Sequence, residues 1–145
     1  MQSGPSRFQV FAWWLDPWLQ WKANHALLDD IQRNLYFLYS QALVVKSSPF
    51  TVLPFDYASV TLAWQNVLFT ITRGRGELNI SVAPRSVPGE QYQLGLAVAV
   101  LEHRHFSERD SFNSLAGAAT LLSPRLEALN AAFSEQEYPS IRQRL

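Results

Sequence analysis

Residues 60–83 read VTLAWQNVLFTITRGRGELNISVA, and the alternation of apolar and polar residues in this stretch decides the fold. Three segments place an apolar residue at every second position, which is the period of a half-buried strand. These segments are 60–64, 67–72 and 77–83. Short breaks that contain turn residues separate them. The stretch therefore predicts consecutive strands of an antiparallel β-meander.

The breaks and flanks of this stretch define the rest of the sheet. Residues 73–76 read RGRG, and their two glycines can adopt the positive φ of a tight hairpin. The spacing differs from that of a phosphate-binding loop, so a hairpin is favoured. Residues 50–57 are rich in β-branched and aromatic side chains, but Pro54 places this first strand at an edge or a bulge. We expect about four strands, in an order that the sequence leaves open.

A long helix is predicted before the sheet. Asp16 and Pro17 are typical of a helix start, because aspartate caps helices and proline suits the first turn. From there, mostly apolar side chains recur at steps of three and four residues: Trp18, Trp21, His25, Leu28, Ile31, Leu35, Leu38 and Ala42. We predict one amphipathic helix over residues 17–45, ended by the Ser-Ser-Pro sequence at 47–49.

The C-terminal half predicts further helices. Tyr92–Glu102 has aliphatic residues on every side, which favours a short buried helix, although the β-branched Val98 and Val100 also allow a buried strand. Residues 103–110 form a charged linker, and Ser111–Asn130 has helical spacing that Pro124 interrupts, so we expect a kink or two helices there. The prediction is an α+β fold with the C-terminal helices packed on one face of the sheet. We expect a single domain over 1–145, with residues 1–7 mobile.

Composition narrows the possible functions. The chain has 145 residues, 48% of them apolar, and its twelve Lys and Arg balance twelve Asp and Glu. A net charge of zero argues against nucleic acid as a partner. The chain contains no cysteine, which excludes disulfides and thiolate metal sites. The apolar run 94–101 is too short to span a bilayer. We therefore expect a cytoplasmic protein with no membrane span.

Catalytic and metal motifs are weak or missing. His103 and His105, followed by Glu108 and Asp110, could supply metal ligands, although a solvated linker explains the same residues better. No nucleophile-elbow or phosphate-loop motif occurs. We predict no catalytic residue, no cofactor and no metal, and therefore a protein that is not an enzyme.

Aromatic residues near the N-terminus are the most unusual feature of the sequence. Four of the five tryptophans lie in residues 13–21, and tryptophan is enriched in interface hot spots. These rings could instead cap the core. Tyrosines at 36 and 39 widen the helix's apolar face, and two arginines of the hairpin could contact an acidic partner. The candidate partner-binding residues are Trp13, Trp14, Trp18, Tyr36, Tyr39, Arg73 and Arg75.

One part of the chain resembles a known class of proteins. Asn66–Glu102 combines an apolar strand, an Arg-Gly turn, the strand ELNISVAP and a Tyr-Gln-Leu start to an aliphatic helix. This pattern is similar to that of small uncharacterised bacterial proteins of the toxin-immunity type. Residues 73–76 differ from the acidic-basic-Gly turn of that pattern. The resemblance covers about a quarter of the chain and implies a binding protein without assigning a functional residue.

Two functional hypotheses follow. The first is a non-enzymatic protein-binding domain that contacts a protein partner or a second copy of itself, with an immunity-type toxin inhibitor or a subunit of a bacterial complex as specific forms. The second is a small ligand-binding or enzymatic domain with a pocket between the sheet and the long helix. The polar centres of that pocket would be His25, Asp56, His103 or His105.

Overall fold

The computed structural model describes residues 25–49, 58–74 and 76–145, which form helices and an antiparallel sheet. This architecture confirms the α+β fold class. The elements in chain order are α1 (25–34), α2 (Tyr36–Tyr39), β1 (Leu43–Pro49), β2 (Ala58–Trp64), β3 (Val67–Gly74), β4 (Glu77–Pro84), β5 (Tyr92–Gln93), α3 (Leu94–Leu101), α4 (Leu115–Leu122), α5 (Leu126–Ala132) and α6 (Tyr138–Arg142). Short 3₁₀ turns cover Glu108–Asp110 and Ser123–Arg125.

The long N-terminal helix predicted over 17–45 is not present at that length. Helix α1 ends at residue 34, because Leu35 leaves helical geometry with φ −115° and ψ 35°, and α2 adds one more turn. Of the predicted series, Ile31, Leu35 and Leu38 are fully buried. The periodic apolar spacing therefore identifies the core-facing side of α1 and α2 but not the end of the helix. Residues 17–24 lie outside the described part of the chain.

Residues 43–49 form strand β1, so the prediction that they end a helix is wrong. Val44 and Val45 are β-branched and favour extended backbone. Strand β2 supplies an antiparallel partner, with Leu43 opposite Ala63. The helical spacing of apolar residues stops at position 42. Beyond it, the hydrogen bonds of the β1–β2 ladder stabilise a strand rather than a continued helix. The strand predicted over 50–57 and the mobile segment predicted over 1–7 lie outside the described residues.

The sheet has five antiparallel strands in the order β1-β2-β3-β4-β5. The three strands predicted from the alternating stretch are confirmed as β2, β3 and β4. A two-residue turn joins β2 to β3, and its first residue, Gln65, has φ +49°. Gly76, in the turn between β3 and β4, has φ +74°, as expected for a glycine hairpin. The short edge strand β5 was not predicted.

The two faces of the sheet differ in chemistry because of the strand register. Val60, Ile71 and Ile80 form one cross-strand row, and the neighbouring apolar row runs parallel to it on the same buried face. The opposite face, which we call the hydroxyl face, holds the row Thr61, Thr70 and Ser81, in which the Thr61 and Thr70 oxygens lie 3.3 Å apart. It also holds an apolar row of Ala63, Leu68 and Ala83. The first face is therefore apolar in both rows, whereas the hydroxyl face combines cross-strand hydrogen bonds with small apolar side chains.

The C-terminal helices pack against the apolar face of the sheet. Buried residues of these helices belong to the same core cluster as the apolar strand residues: Leu94, Ala97 and Val98 of α3, Leu115, Ala118 and Leu122 of α4, and Leu126 and Leu129 of α5. The interruption predicted at Pro124 is confirmed as the 3₁₀ turn between α4 and α5. Helix α5 also holds the β2–β3 turn, since Asn130 Oδ1 accepts a 3.0 Å hydrogen bond from the Asn66 N–H.

Gly95 fixes the distance between α3 and the Glu108–Asp110 turn. A Cβ atom at position 95 would lie 2.3 Å from the Asp110 carbonyl oxygen and 2.9 Å from the Phe106 ring. A backbone oxygen cannot give way as a flexible side chain can. Helix α3 must therefore move away from the turn if any larger residue replaces this glycine.

We expect Gly95→Ala to lower the free energy of unfolding by about 1–3 kcal/mol, because overpacking forces backbone shifts. Urea unfolding followed by circular dichroism measures this change. Gly89→Ala is the matched control, since no heavy atom lies within 4 Å of the added Cβ. Equal stability of the two variants would show that the α3 contact is looser than described.

Candidate functional site

Four large apolar side chains are exposed where α2 is followed by β1. Leu43 is 65% exposed, Val44 46%, Val45 59% and Tyr36 63%. Single exposed apolar residues are common on protein surfaces, but several large ones in one short segment are typical of an interaction site. We call these four residues the edge surface.

Three of the four residues of the edge surface lie on β1, an outer strand of the sheet. Strand β1 pairs with β2 on one side, and Val45 is the extra residue of a β-bulge in this ladder. An antiparallel strand directs about half of its N–H and C=O groups to each side. Within the described residues, no backbone hydrogen bond other than the β1–β2 ladder reaches residues 43–49. Among the described residues, the outer backbone groups of β1 therefore have no main-chain partner.

The tyrosines predicted to bind a partner differ in their environment. Tyr36 points away from the core, and its exposure places it in the edge surface. Tyr39 is half-buried and packs against the core. It therefore supports the fold more than it offers contact area. The remaining aromatic candidates, Trp13, Trp14 and Trp18, lie outside the described residues.

Arg73, a further partner-binding candidate, forms an ion pair with Asp30 of α1. Both side chains are about one-third exposed. They line a cleft of about 270 Å³ between α1, the sheet and the start of α4, together with Asn34 and Ser114. The guanidinium thus connects helix and sheet at this point. The other hairpin arginine, Arg75, lies outside the described residues.

Arg73 and the edge surface lie near opposite ends of the sheet. Arg73 pairs with Ala58 at the start of β2, and Leu43 pairs with Ala63 near its end. The distance along β2 between those two alanines is roughly 16 Å at the usual rise of a strand. The structure therefore does not bring Arg73 next to Leu43, and these candidates do not form one continuous site.

The histidines considered as metal ligands lie in a cationic cleft. His103 and His105 line a cleft of about 230 Å³ together with Arg104 and Arg144. The His103 Nδ1 atom lies 2.8 Å from the Arg144 guanidinium, and His103, two residues after the end of α3, has φ +55°. No group of three His, Asp or Glu residues that could hold a metal occurs in the described part of the chain.

The carboxylates beside these histidines are held by arginines. Asp110 is buried and accepts hydrogen bonds from Arg104 and from the Ser107 N–H, the latter at 2.8 Å. Hydrogen bonds from Arg104 lower the pKa of Asp110 below its usual range. Hydrogen bonds from Arg125 and Arg104 also lower the pKa of Glu102. These carboxylates stay ionised, and they connect the end of α3 to the following turn and to Arg125.

A tyrosine pair beside β5 forms a polar cluster that the sequence did not indicate. The hydroxyls of Tyr92 and Tyr138 lie 2.7 Å apart, and Tyr138 donates a hydrogen bond to Glu90. Burial, followed by the hydrogen bonds to Glu90 and Tyr92, raises the pKa of Tyr138 above its usual value. A tyrosine in this state acts as a hydrogen-bond donor rather than as a base. Arg142 pairs with Glu90 at 2.7 Å, which attaches α6 to this edge.

The sequence analysis missed Leu43, Val44 and Val45 as candidate binding residues. It assigned them to the helix, where the apolar pattern leads only to position 42. Two adjacent valines after a helical segment could have indicated a strand, because β-branched residues favour extended backbone. Nothing in the sequence indicated that this strand would lie at the outside of the sheet.

Comparisons with known proteins supply no further assignment. No protein-family model, no curated protein and no solved structure matches the chain. Within the described residues, no helix has the length and apolar character required to cross a membrane. Function must therefore be argued from the described surface itself.

The Arg104–Asp110 pair predicts a specific loss of stability in acid. Because the folded pKa of Asp110 is depressed, its stabilising contribution is present above the unfolded value of about 3.9 and disappears as the pH falls towards the folded value. The free energy of unfolding of the wild type should therefore fall more steeply below about pH 4 than that of Asp110→Asn. Denaturant unfolding between neutral and acidic pH measures both curves. Parallel curves would contradict a depressed pKa at Asp110.

Proposed function

We propose that this chain is a non-enzymatic protein-binding domain and that the edge surface of Tyr36 and Leu43–Val45 is its contact site. The single observation that carries the proposal is the exposure of three large apolar side chains on the outer strand β1, together with that of Tyr36 on the preceding helix α2. Apolar surface of this kind costs free energy in water, and a partner that covers it recovers that cost. Tyrosine is also a frequent hot-spot residue, because it adds large contact area with few rotamers.

The charge of the chain agrees with a protein partner. Twelve basic and twelve acidic residues cancel, so the chain has no strong overall field to attract a polyanion. Several arginines of the described residues are paired with carboxylates, among them Arg73, Arg104 and Arg125. Contact through apolar area and backbone groups is therefore favoured over purely electrostatic binding.

An immunity-type inhibitor of a bacterial toxin, or a subunit of a bacterial complex, is the specific form that we propose. The support is the resemblance of Asn66–Glu102 to small bacterial proteins of the toxin-immunity type, including the strand ELNISVAP. Such proteins act by covering another protein rather than by chemistry. Cytoplasmic location belongs to the same proposal.

A second candidate function rests on the cleft beside Arg73. Its walls come from α1, the sheet and the segment before α4, and its volume of about 270 Å³ lies near the lower end of ligand pockets. Asp30, Asn34, Arg73 and Asn113 give it polar groups for a small polar ligand. None of the histidines proposed as polar centres lines it. A thermal-shift screen of metabolites tests this alternative, since a ligand of the native state raises its melting temperature.

Removal of apolar character from the edge surface should weaken partner binding without weakening the fold. We expect the double variant Tyr36→Ser, Val45→Thr to bind a captured and purified partner at least about tenfold less tightly, as for hot-spot residues. Threonine keeps the β-branch of valine, so the strand should persist. Affinity capture from the source cell, followed by titration with the purified partner, measures the effect.

Val87→Thr is the matched control for this experiment, because Val87 is also exposed but lies in the loop after β4, which β2 and β3 separate from β1. It should bind as the wild type does. Light scattering on the same variants tests whether a second copy is the partner. Equal binding by the double variant and the control would show that the edge surface is not the contact site. A monomeric wild type that captures no protein would contradict the binding function itself.

A further inference from the structure

The cationic cleft at the end of α3 is lined by two separated parts of the chain. Val100 and residues 103–105 come from the end of α3 and the segment after it, and Arg144 follows α6. The titratable side chains of this lining are two arginines and two histidines. No carboxylate is among the lining residues, all of which belong to the described part of the chain. The lining therefore offers hydrogen-bond donors to a negatively charged group.

His103 has a backbone conformation that usually belongs to glycine. Its φ of +55° lies in the left-handed region, which disfavours residues with a Cβ atom. The His103 N–H donates to the Val100 carbonyl at 3.1 Å, and the Arg104 N–H donates to the Ala99 carbonyl at 3.0 Å. This pair of hydrogen bonds is the helix end at which glycine is most common. A histidine at this position therefore points to a use for its imidazole.

Arg144 fixes the orientation of this imidazole. Its Nη2 group donates to the Val100 carbonyl and lies 2.8 Å from His103 Nδ1. A guanidinium has donors only, so Nδ1 is the acceptor in this contact, and the proton of the neutral ring lies on Nε2. His103 therefore keeps its Nε2–H as a donor. The Nε and Nη1 groups of Arg144 make no hydrogen bond to the described residues.

Arg104 is held in place by carboxylates that lie outside the lining of the cleft. It donates to Asp110 at 2.6 Å and to Glu102 at 2.8 Å. Glu102 also pairs with Arg125, so the charges of these two carboxylates cancel those of the two arginines. The positive charge that the cleft offers to a ligand is therefore that of Arg144, to which each histidine adds when it is protonated.

We propose that this cleft binds a phosphate group, either as free phosphate or as the end of a small phosphate monoester, with Arg144 and His103 as its main donors and His105 as a further one. The site is independent of the proposed protein-binding function. A phosphate group has several strong acceptor oxygens and about two negative charges near neutral pH. It can therefore accept hydrogen bonds from several side chains at once, and arginine suits its geometry.

The size of the cleft limits the ligand. Its volume of about 230 Å³ lies below the roughly 300 Å³ at which pockets for whole small molecules begin. The cleft therefore holds a phosphate group and a few further atoms rather than an entire nucleotide. The remainder of a larger ligand would lie in solvent.

Titration of the labelled protein with sodium phosphate, glycerol phosphate and sodium acetate tests the proposal, with the ionic strength held constant by chloride. NMR shifts of residues 103–105 and 144 report binding. Phosphate should half-saturate these shifts at a concentration at least about tenfold lower than acetate does, because it accepts more charge-assisted hydrogen bonds. Tighter binding of inorganic phosphate than of glycerol phosphate would identify a site for the free ion. The reverse order would identify a monoester as the ligand.

His103→Gly separates binding from folding. This variant should keep the melting temperature of the wild type, because relief of the left-handed φ offsets the chain entropy that glycine adds to the unfolded state. Its affinity for phosphate should fall about tenfold, and that of Arg144→Gln by a similar factor. Arg109→Gln is the matched control, since Arg109 is exposed in the neighbouring turn but does not line the cleft. It should bind phosphate as the wild type does.

Three results would overturn the phosphate site. The first is the absence of a saturable shift at residues 103–105 and 144 on addition of phosphate. The second is acetate binding as tight as phosphate binding. The third is equal phosphate affinity of His103→Gly, Arg144→Gln and the control Arg109→Gln. In that case the two side chains would serve only to neutralise the negative end of the α3 dipole.

Discussion

The antiparallel register of β2, β3 and β4 is the constraint on which the rest of the described structure depends. It aligns Val60, Ile71 and Ile80 in one row and the larger side chains of the neighbouring row beside them. The result is an apolar face large enough to bury α1 and the C-terminal helices in a shared core cluster. A shift of one residue in any of these strands would turn its apolar side chains towards the hydroxyl face. The helices would then lose the surface that holds them.

The two outer strands of the sheet, β5 and β1, have different surroundings. At β5 a polar cluster around Tyr138 and a short strand terminate the sheet, and α6 is attached through Arg142 and Glu90. At β1 the described residues provide no such cover, and Leu43, Val44 and Val45 remain exposed. Unpaired apolar edges promote aggregation unless they are protected or used. The bulge at Val45 interrupts the regular pattern of this edge and gives it partial protection.

Sequence reasoning succeeded where local pattern and tertiary structure agree. Alternation over residues 60–83 identified β2 to β4, and the glycine of the β3–β4 turn has the positive φ expected of it. The prediction from sequence failed where pairing with a distant strand decides the conformation, against the local spacing of apolar residues. The helical spacing that continues from α1 to Ala42 gave no indication of the change at Leu43, because a strand at that point is stabilised by β2, which follows later in the chain.

The candidate site was predictable only in part for the same reason. Tyr36 was singled out from its position on a widened apolar helix face, and it is exposed in the structure. Arg73 was predicted to contact an acidic partner, and in the structure Asp30 of α1 pairs with it. Such an ion pair between distant segments has no local sequence pattern. The exposure of Val44 and Val45 likewise depends on strand order, which the sequence left open.

Amide hydrogen exchange of residues 43–48 in the free protein tests the central claim, that β1 is an outer strand with an edge that no other described segment covers. Exchange rates read by NMR separate amides that point towards β2 from those that point outwards. The account predicts alternate slow and fast exchange along β1, beside slow exchange at consecutive amides of β3, which is paired on both sides. Uniform slow exchange along β1 would show that the edge is already covered. Uniform fast exchange would show that the strand itself does not form.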